Sequence, residues 1–353
     1  MNLSDNVKSS DNKVSGEVVA LSNSIKSGKE KKPRKLELFQ DIINLEIGDT
    51  SLVRAKSLER EFDIRQVYIK YEGDNPTGTQ KDRIAFAQVY DAMSRGFRQI
   101  ALATCGNYGV AVALAADLAG IECIIFIPTA YHTDRIKEME KLNATIKRLD
   151  GTYEEVVKSS SALARENKWY DANPGGANTT LQITAYSKIA DEIYDDLRDA
   201  PKYCAVPVSN GTLFAGIHRG FVSLYKRGKT SRIPKMIAAS ATNKNPIIQS
   251  FLKGDKLCID LDPLKIKETE INEPLINWHS FDGQEALDAL YHSNGLAYNI
   301  SDRAMKEMNL FLIKKEGVKI LPASTAGLIG LLQTHEQITL EPDRFVAVLT
   351  ARD

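Results

Sequence analysis

The chain has 353 residues, 43% of them hydrophobic and 26% charged, the proportions of an ordinary globular protein with room for a generous core and two lobes. Lys plus Arg and Asp plus Glu each total 46, so the formal net charge is zero, which argues against nucleic acid or an anionic membrane surface as the main partner. No apolar run approaches the roughly 20 residues that cross a bilayer.

Residues 1–35 are rich in Ser, Asn and Lys, lack the apolar stretch of a secretory signal and carry too many acids for a transit peptide. They read as a disordered polar tail, and a cytoplasmic setting follows. From Leu36 onward, short apolar strands alternate with helical runs. "QVYIKYE" (Gln66–Glu72) alternates like a strand, and "KDRIAFAQVYDAMSRG" has helical spacing and stops at Gly96. "QIALA" from Gln99 is a strand, "NYGVAVALAADLAG" a helix ending at Gly120, and "ECIIFIP" a buried strand closed by Pro128. Helix "DRIKEMEKLN", strand "ATIKRLD" and helix "YEEVVKSSSALAREN" continue the pattern, which implies parallel pairing with right-handed crossovers. After "WYDANPGGANTT" come a long helix from Leu181, strand "YCAVPV", helix "LFAGIHRGFVSLYKRG", strand "KMIAAS" and a last strand, "RFVAVLT", ending at Thr350. The expected architecture is α/β with two open, mostly parallel sheets, which bind ligands at the carboxyl ends of their strands. The four cysteines, Cys105, Cys123, Cys204 and Cys258, have no paired short spacing, which argues against a zinc site or a disulfide framework.

Two loops and one turn carry the chemistry. "NPTGTQKDR" (Asn75–Arg83) places Lys81 directly after a Pro-Thr-Gly-Thr turn, at the start of an amphipathic run; a solvated first-turn lysine is the bland alternative. "ATCGNYGVA" sets Thr104, Cys105, Gly106, Asn107 and Tyr108 between a strand and a helix, where amides and the Asn side chain can meet an anionic or hydroxyl-bearing ligand; a plain Asn cap is the competing reading. It lacks the Gly-x-Gly-x-x-Gly fingerprint of a nicotinamide site. "VPVSNGTLFAGI" ends a strand on Ser209, Asn210, Gly211, Thr212 and Leu213, where amides, helped by the Ser209 and Thr212 hydroxyls and a helix N-terminus, would cradle a phosphate; a simple turn is equally compatible with that loop alone.

Taken together in this order, these segments resemble the pyridoxal-phosphate enzymes of the tryptophan synthase β-like fold (fold type II), from "GDTSLVRA" at Gly48 to "VLTARD" at the end. Within that group, "GDTSLV" followed by "YIKYEGDNPTGTQKDR" looks most like threonine synthases. The resemblance implies a large cofactor domain of residues 36–80 and 187–353, a small α/β domain of 81–186, and a homodimer. It implies that Lys81 carries pyridoxal 5'-phosphate as an imine and that Asn107 hydrogen-bonds its 3-hydroxyl. Ser209, Asn210, Gly211, Thr212 and Leu213 would hold its phosphate, and Thr350 would face the pyridine nitrogen with a neutral hydroxyl. Thr104, Cys105, Gly106 and Tyr108 would take the substrate carboxylate. No resident metal is implied.

Four departures accompany the match. "TSL" stands for Thr-Pro-Leu, Gln80 for the usual Phe, and Cys105 and Tyr108 for Ser and Thr. No Arg or Lys follows Asn173–Pro174 until Lys188, where threonine synthases carry a basic segment for the substrate phosphate. Arg135 is a possible substitute, although surface placement is the plainer reading; His132 and His218 read as surface or interface histidines. The leading reading is a lyase that eliminates and replaces a γ- or β-substituent, with O-phosphohomoserine and water giving threonine and phosphate. The alternative is a β-replacement synthase of the cysteine or cysteate type acting on a serine derivative such as O-phosphoserine. A cofactor-binding protein without turnover is a third reading, opposed by the presence of Lys81, Asn107 and Thr350 together.

Overall fold

The structure is a computed structural model that describes residues 14–104, 106–131, 133 and 135–353. The chain divides into two compact units. The first comprises Asp49–Asp74 and Tyr186–Asp353. Its strands are β1 (Leu52–Arg54), β2 (Val67–Tyr71), β7 (Tyr203–Pro207), β8 (Lys235–Ala241), β9 (Leu296–Ile300) and β10 (Phe345–Leu349), arranged in the order β1-β2-β10-β7-β8-β9. Only β1 is antiparallel to its neighbour, and the other pairings are parallel. Every residue of β7 and β10 is buried, as in a sheet covered on both faces, and this is why both segments read as unbroken apolar runs. Helices α8 (Thr179–Leu197), most of which lies in this unit, α9 (Thr212–Lys226), α11 (Gly283–His292) and α13 (Ala326–Ile338) belong here, with α3 (Lys56–Glu61), α10 (Pro246–Lys253) and α12 (Asp302–Glu316). Between α10 and α11 the chain runs irregularly for about 30 residues, with two 3-10 turns.

The second unit contains Asn75–Ala185 and the described residues 14–48. Its sheet runs β5 (Thr145–Leu149), β4 (Glu122–Pro128), β3 (Gln99–Ala103) and β6 (Tyr170–Asp171), all parallel. Helices α4 (Lys81–Arg95), α5 (Asn107–Ala119), α6 (Arg135–Lys141) and α7 (Tyr153–Glu166) alternate with these strands. Left-handed Gly96 and Gly120 end α4 and α5, as expected for glycine C-caps, and a Thr152–Glu155 capping box starts α7.

The polar N-terminal stretch departs from its composition. Residues 1–13 lie outside the described ones, but Gly16–Lys26 forms helix α1 and Lys32–Glu46 forms α2. Helix α1 buries Val18 and Ile25, and Ser22 Oγ donates to the Leu118 carbonyl of α5 at 3.0 Å. Phe39 of α2 stacks on Phe86 of α4 with centroids 5.8 Å apart. A few apolar residues at helical spacing thus anchor the segment, and residues 36–48 group with the unit that contains Lys81 rather than with the large one.

Among the described residues, no helix is long and apolar enough to cross a membrane. Cys123 and Cys204 are buried free thiols, and burial pushes Cys204 up to about 12.

Candidate active site

In the second unit, Lys81 is the first residue of α4, directly after the turn that begins at Asn75. Asp82 is fully buried and accepts from the Thr77 amide at 2.9 Å and the Thr77 hydroxyl at 2.9 Å. Asn75, also fully buried, accepts from the Gly48 amide at 3.0 Å. The motif therefore has a physical reading residue by residue: Asn75 fixes the start of the turn and Asp82 its end, while Lys81 between them is only half-buried. Gln80, the departure beside the lysine, accepts from the Thr79 hydroxyl at 2.6 Å.

The strand β3 ends at Ala103, and its loop leads into Asn107, the first residue of α5. Thr104 is buried and Gly106 and Asn107 are half-buried; Cys105 lies outside the described residues. Tyr108 differs from its expected role. Its hydroxyl donates to the Ala172 carbonyl at 2.7 Å and accepts from Gln88 Nε2, and its side chain is buried. Burial raises the phenol well above the usual tyrosine range, so it remains a donor. Tyr108 is a strut whose hydroxyl is occupied; its ring face lies 5.6 Å from Lys81 Nζ. Sequence reading did not find the remainder of this network. Gln182 Nε2 donates to Gln88 Oε1 at 3.2 Å and to the Asn173 carbonyl at 3.1 Å, and Asn173 Oδ1 accepts from the Ala103 amide at 2.7 Å. Four segments are locked around the end of β3 by buried polar groups, each satisfied by another, as low-dielectric interiors require.

In the first unit, β7 ends in the turn Val208–Gly211 and α9 follows. Gly211 sits at φ +99°, and a Cβ there would meet the Asp282 carbonyl oxygen at 2.5 Å, so only glycine fits. No side chain caps α9; its amides and positive end are left to an anion. Other groups expected at the turn are engaged elsewhere. The Thr212 hydroxyl donates to Asp282 Oδ2 at 2.5 Å, and Asn210 Oδ1 accepts from Asn277 Nδ2 at 3.2 Å. The turn thus offers an anion backbone amides rather than the Thr212 hydroxyl. Ser209 and Leu213 remain half-buried. Directly after the neighbouring parallel strand β10, Thr350 lies at the same carboxyl edge, and its hydroxyl is 3.0 Å from that of Ser324. Ser324 was not anticipated; its hydroxyl accepts from the Ala351 amide at 3.1 Å.

His218 and Arg135 are both placed by the structure. His218 is buried, not superficial, and its Nε2 lies 2.9 Å from His292 Nδ1. Burial, reinforced by the neighbouring imidazole, pushes it down to about 4. Arg135 pairs with Glu138 on its own helix at 3.1 Å. His132 lies outside the described residues.

Parallel sheets, with a lysine on a turn in one unit and uncapped amides at a strand end in the other, place the chain in the class of α/β proteins whose ligand sites lie at the carboxyl ends of strands. Comparison with known proteins narrows this class. Residues 43–351 match the family model "Pyridoxal-phosphate dependent enzyme", and the chain belongs to that family. It is 29% identical to the threonine synthase of Methanocaldococcus jannaschii over 88% of this chain and 75% of that protein. It is 27% identical to the threonine synthase of Synechocystis sp. over 84% and 74%. Among solved structures it superposes on maize serine racemase with a TM-score of 0.72 at 18% identity, covering 90% of this chain and 94% of the other. Threonine deaminase isoform 2 from Solanum lycopersicum gives 0.71 at 17% identity, covering 90% of each. At such identities the structures speak for the fold alone, the expected fold type II.

The cofactor is pyridoxal phosphate, and the donor set fits it. Each unit, taken by itself, holds groups of the kind this cofactor needs: the second a half-buried lysine that suits an aldehyde, the first an uncapped helix start behind Gly211 that suits a phosphate and the neutral Thr350–Ser324 hydroxyl pair that suits a pyridine nitrogen.

Proposed function

We propose that the chain is a threonine-synthase-like lyase, acting first on O-phosphohomoserine and water to give threonine and phosphate. The observation that carries the reading is the Asn75–Asp82 turn, which presents Lys81 at a helix start within a chain whose curated relatives include threonine synthases at 25–29% identity. Bound pyridoxal phosphate supplies the electron sink that stabilises charge at the substrate's α-carbon. Lys81 Nζ would hold the cofactor at its carbonyl carbon, and as a free amine it would move protons at the substrate's α- and β-carbons as base and acid. Amides at the start of α5, with Thr104 beside them, take the substrate carboxylate, and the Asn107 side chain holds the cofactor's 3-hydroxyl. Amides of Ser209 to Leu213 hold its phosphate. The hydroxyl of Thr350, braced by Ser324, carries no charge that would favour a protonated pyridine nitrogen. That favours elimination and replacement over transamination.

A β-replacement reading is retained on one observation. The segment 174–187 has no Arg or Lys, so the cation expected to seat a substrate's own phosphate is missing from it. A substrate panel separates the two. With O-phosphohomoserine, O-phosphoserine, serine and threonine supplied in turn, the leading reading expects threonine and phosphate from the first. Turnover of O-phosphoserine alone would replace it with β-replacement. The same reading takes the enzyme as a cytoplasmic homodimer, to be seen in light scattering as twice the chain mass of 39.1 kDa.

A further inference from the structure

We propose that Asn245 is the positioning residue that aims the amides of the β7–α9 turn, and thereby sets the preference of this protein for a phosphorylated cofactor. The inference rests on the reading of that turn as the cofactor's phosphate seat.

Asn245 is fully buried and caps α10. Its Oδ1 accepts from the amides of Ile247 at 3.1 Å and Ile248 at 3.3 Å. Its Nδ2 donates to the carbonyls of Ser209 at 3.0 Å, Val208 at 3.3 Å and Leu275 at 3.3 Å. The orientation of the amide is determined by these partners, since exchanging its ends would set N–H against N–H and oxygen against oxygen. In a planar trans peptide the N–H points opposite to its C=O, and no cis bond occurs among the described residues. Drawing the Val208 and Ser209 carbonyls toward Asn245 therefore turns the Ser209 and Asn210 amides to the far side. The Asn210 carbonyl accepts from the Asp282 amide at 3.1 Å, which does the same for the amide of Gly211. Three successive amides thus face away from their supports, next to the uncapped start of α9, an arrangement suited to an anion.

Capping alone does not require asparagine. Asp and Ser cap helices about as well, but Asp has no donor for the two turn carbonyls, and the shorter Ser has a single O–H. The test uses this difference. The full chain, its Asn245→Asp variant and its Asn245→Ser variant are each titrated with pyridoxal phosphate and with unphosphorylated pyridoxal. Binding is read from the visible absorbance of lysine-bound cofactor and from the mass fixed by borohydride. Unfolding is followed separately without cofactor.

Loss of the carbonyl anchors is expected to weaken pyridoxal phosphate by roughly 10- to 100-fold, while pyridoxal binding stays within about twofold of wild type. If Asn245→Asp does not fold, Asn245→Ser, which keeps the cap acceptor without burying a charge, decides the outcome. An unchanged ratio of the two affinities, or a parallel loss of both, overturns the proposal and leaves Asn245 a cap only. A wild-type protein that does not prefer the phosphorylated form overturns the seat itself, and the proposal with it.

Discussion

The Lys81 turn and the β7–α9 turn each offer a ligand a small set of groups, but they are built on different length scales. At Lys81 the bonds from Thr77 to Asp82 close within five residues, Gly48 on Asn75 adds one from 27 residues away, and the reactive group is a side chain. At Gly211 the groups offered are backbone amides, and the supports of their peptide planes come from Asn245 and Asp282, between 36 and 72 residues away in the sequence. A side chain carries its chemistry wherever a short turn places it. A backbone amide has chemistry only when its peptide plane is rotated, and that needs partners on the opposite side. The first arrangement is local and identifiable by type, the second remote and generic in type.

The largest break in this comparison is Lys81→Ala. Turnover should fall by at least 10²–10⁴-fold, the scale of general acid–base catalysis alone, and borohydride should no longer fix cofactor to the chain. Noncovalent binding should still prefer pyridoxal phosphate over pyridoxal, since the amide seat is untouched. Gly211→Ala reverses the pattern. Its positive φ and the close approach of the Asp282 carbonyl should cost about 1–3 kcal/mol, read as weaker pyridoxal phosphate binding in a titration, with pyridoxal still captured by Lys81.

Asp82→Ala leaves the buried Thr77 amide and hydroxyl without their acceptor. A loss of about 1–3 kcal/mol in denaturant unfolding is expected, with slower covalent uptake of pyridoxal. If uptake is unchanged, the turn does not preorganise the lysine. The smallest effect concerns His218 on α9, outside both turns. Its folded value, pushed down to about 4, lies below the ordinary imidazole value of 6.5. The unfolded chain therefore takes up this proton first as the pH falls. The contribution is present above about 6.5, is lost as pH falls toward 4, and changes no further below that. His218→Asn should flatten the stability profile in that window without changing the ratio of pyridoxal phosphate to pyridoxal affinity.

How much was legible follows from the same contrast. Lys81, its turn and the strand–helix alternation through Asn107 were legible, because apolar periodicity and a local motif report them directly. Tyr108 was read as facing substrate because it sits in the right loop, yet burial directs its hydroxyl to Ala172 and Gln88. Helix α1 was missed because its few buried residues lie among polar ones, and what stabilises them is the face of another helix. Asn245, Ser324 and Asp282 carry no motif at all.

What the sequence alone determined was the α/β alternation, the helix start at Lys81 and the glycine whose φ is +99°, since each follows from residue type and near neighbours. Which amides face a ligand, which hydroxyls are already engaged and which histidine is buried were decided only by tertiary structure. The reason is that hydrogen-bond direction and desolvation depend on groups that packing brings together from distant parts of the chain.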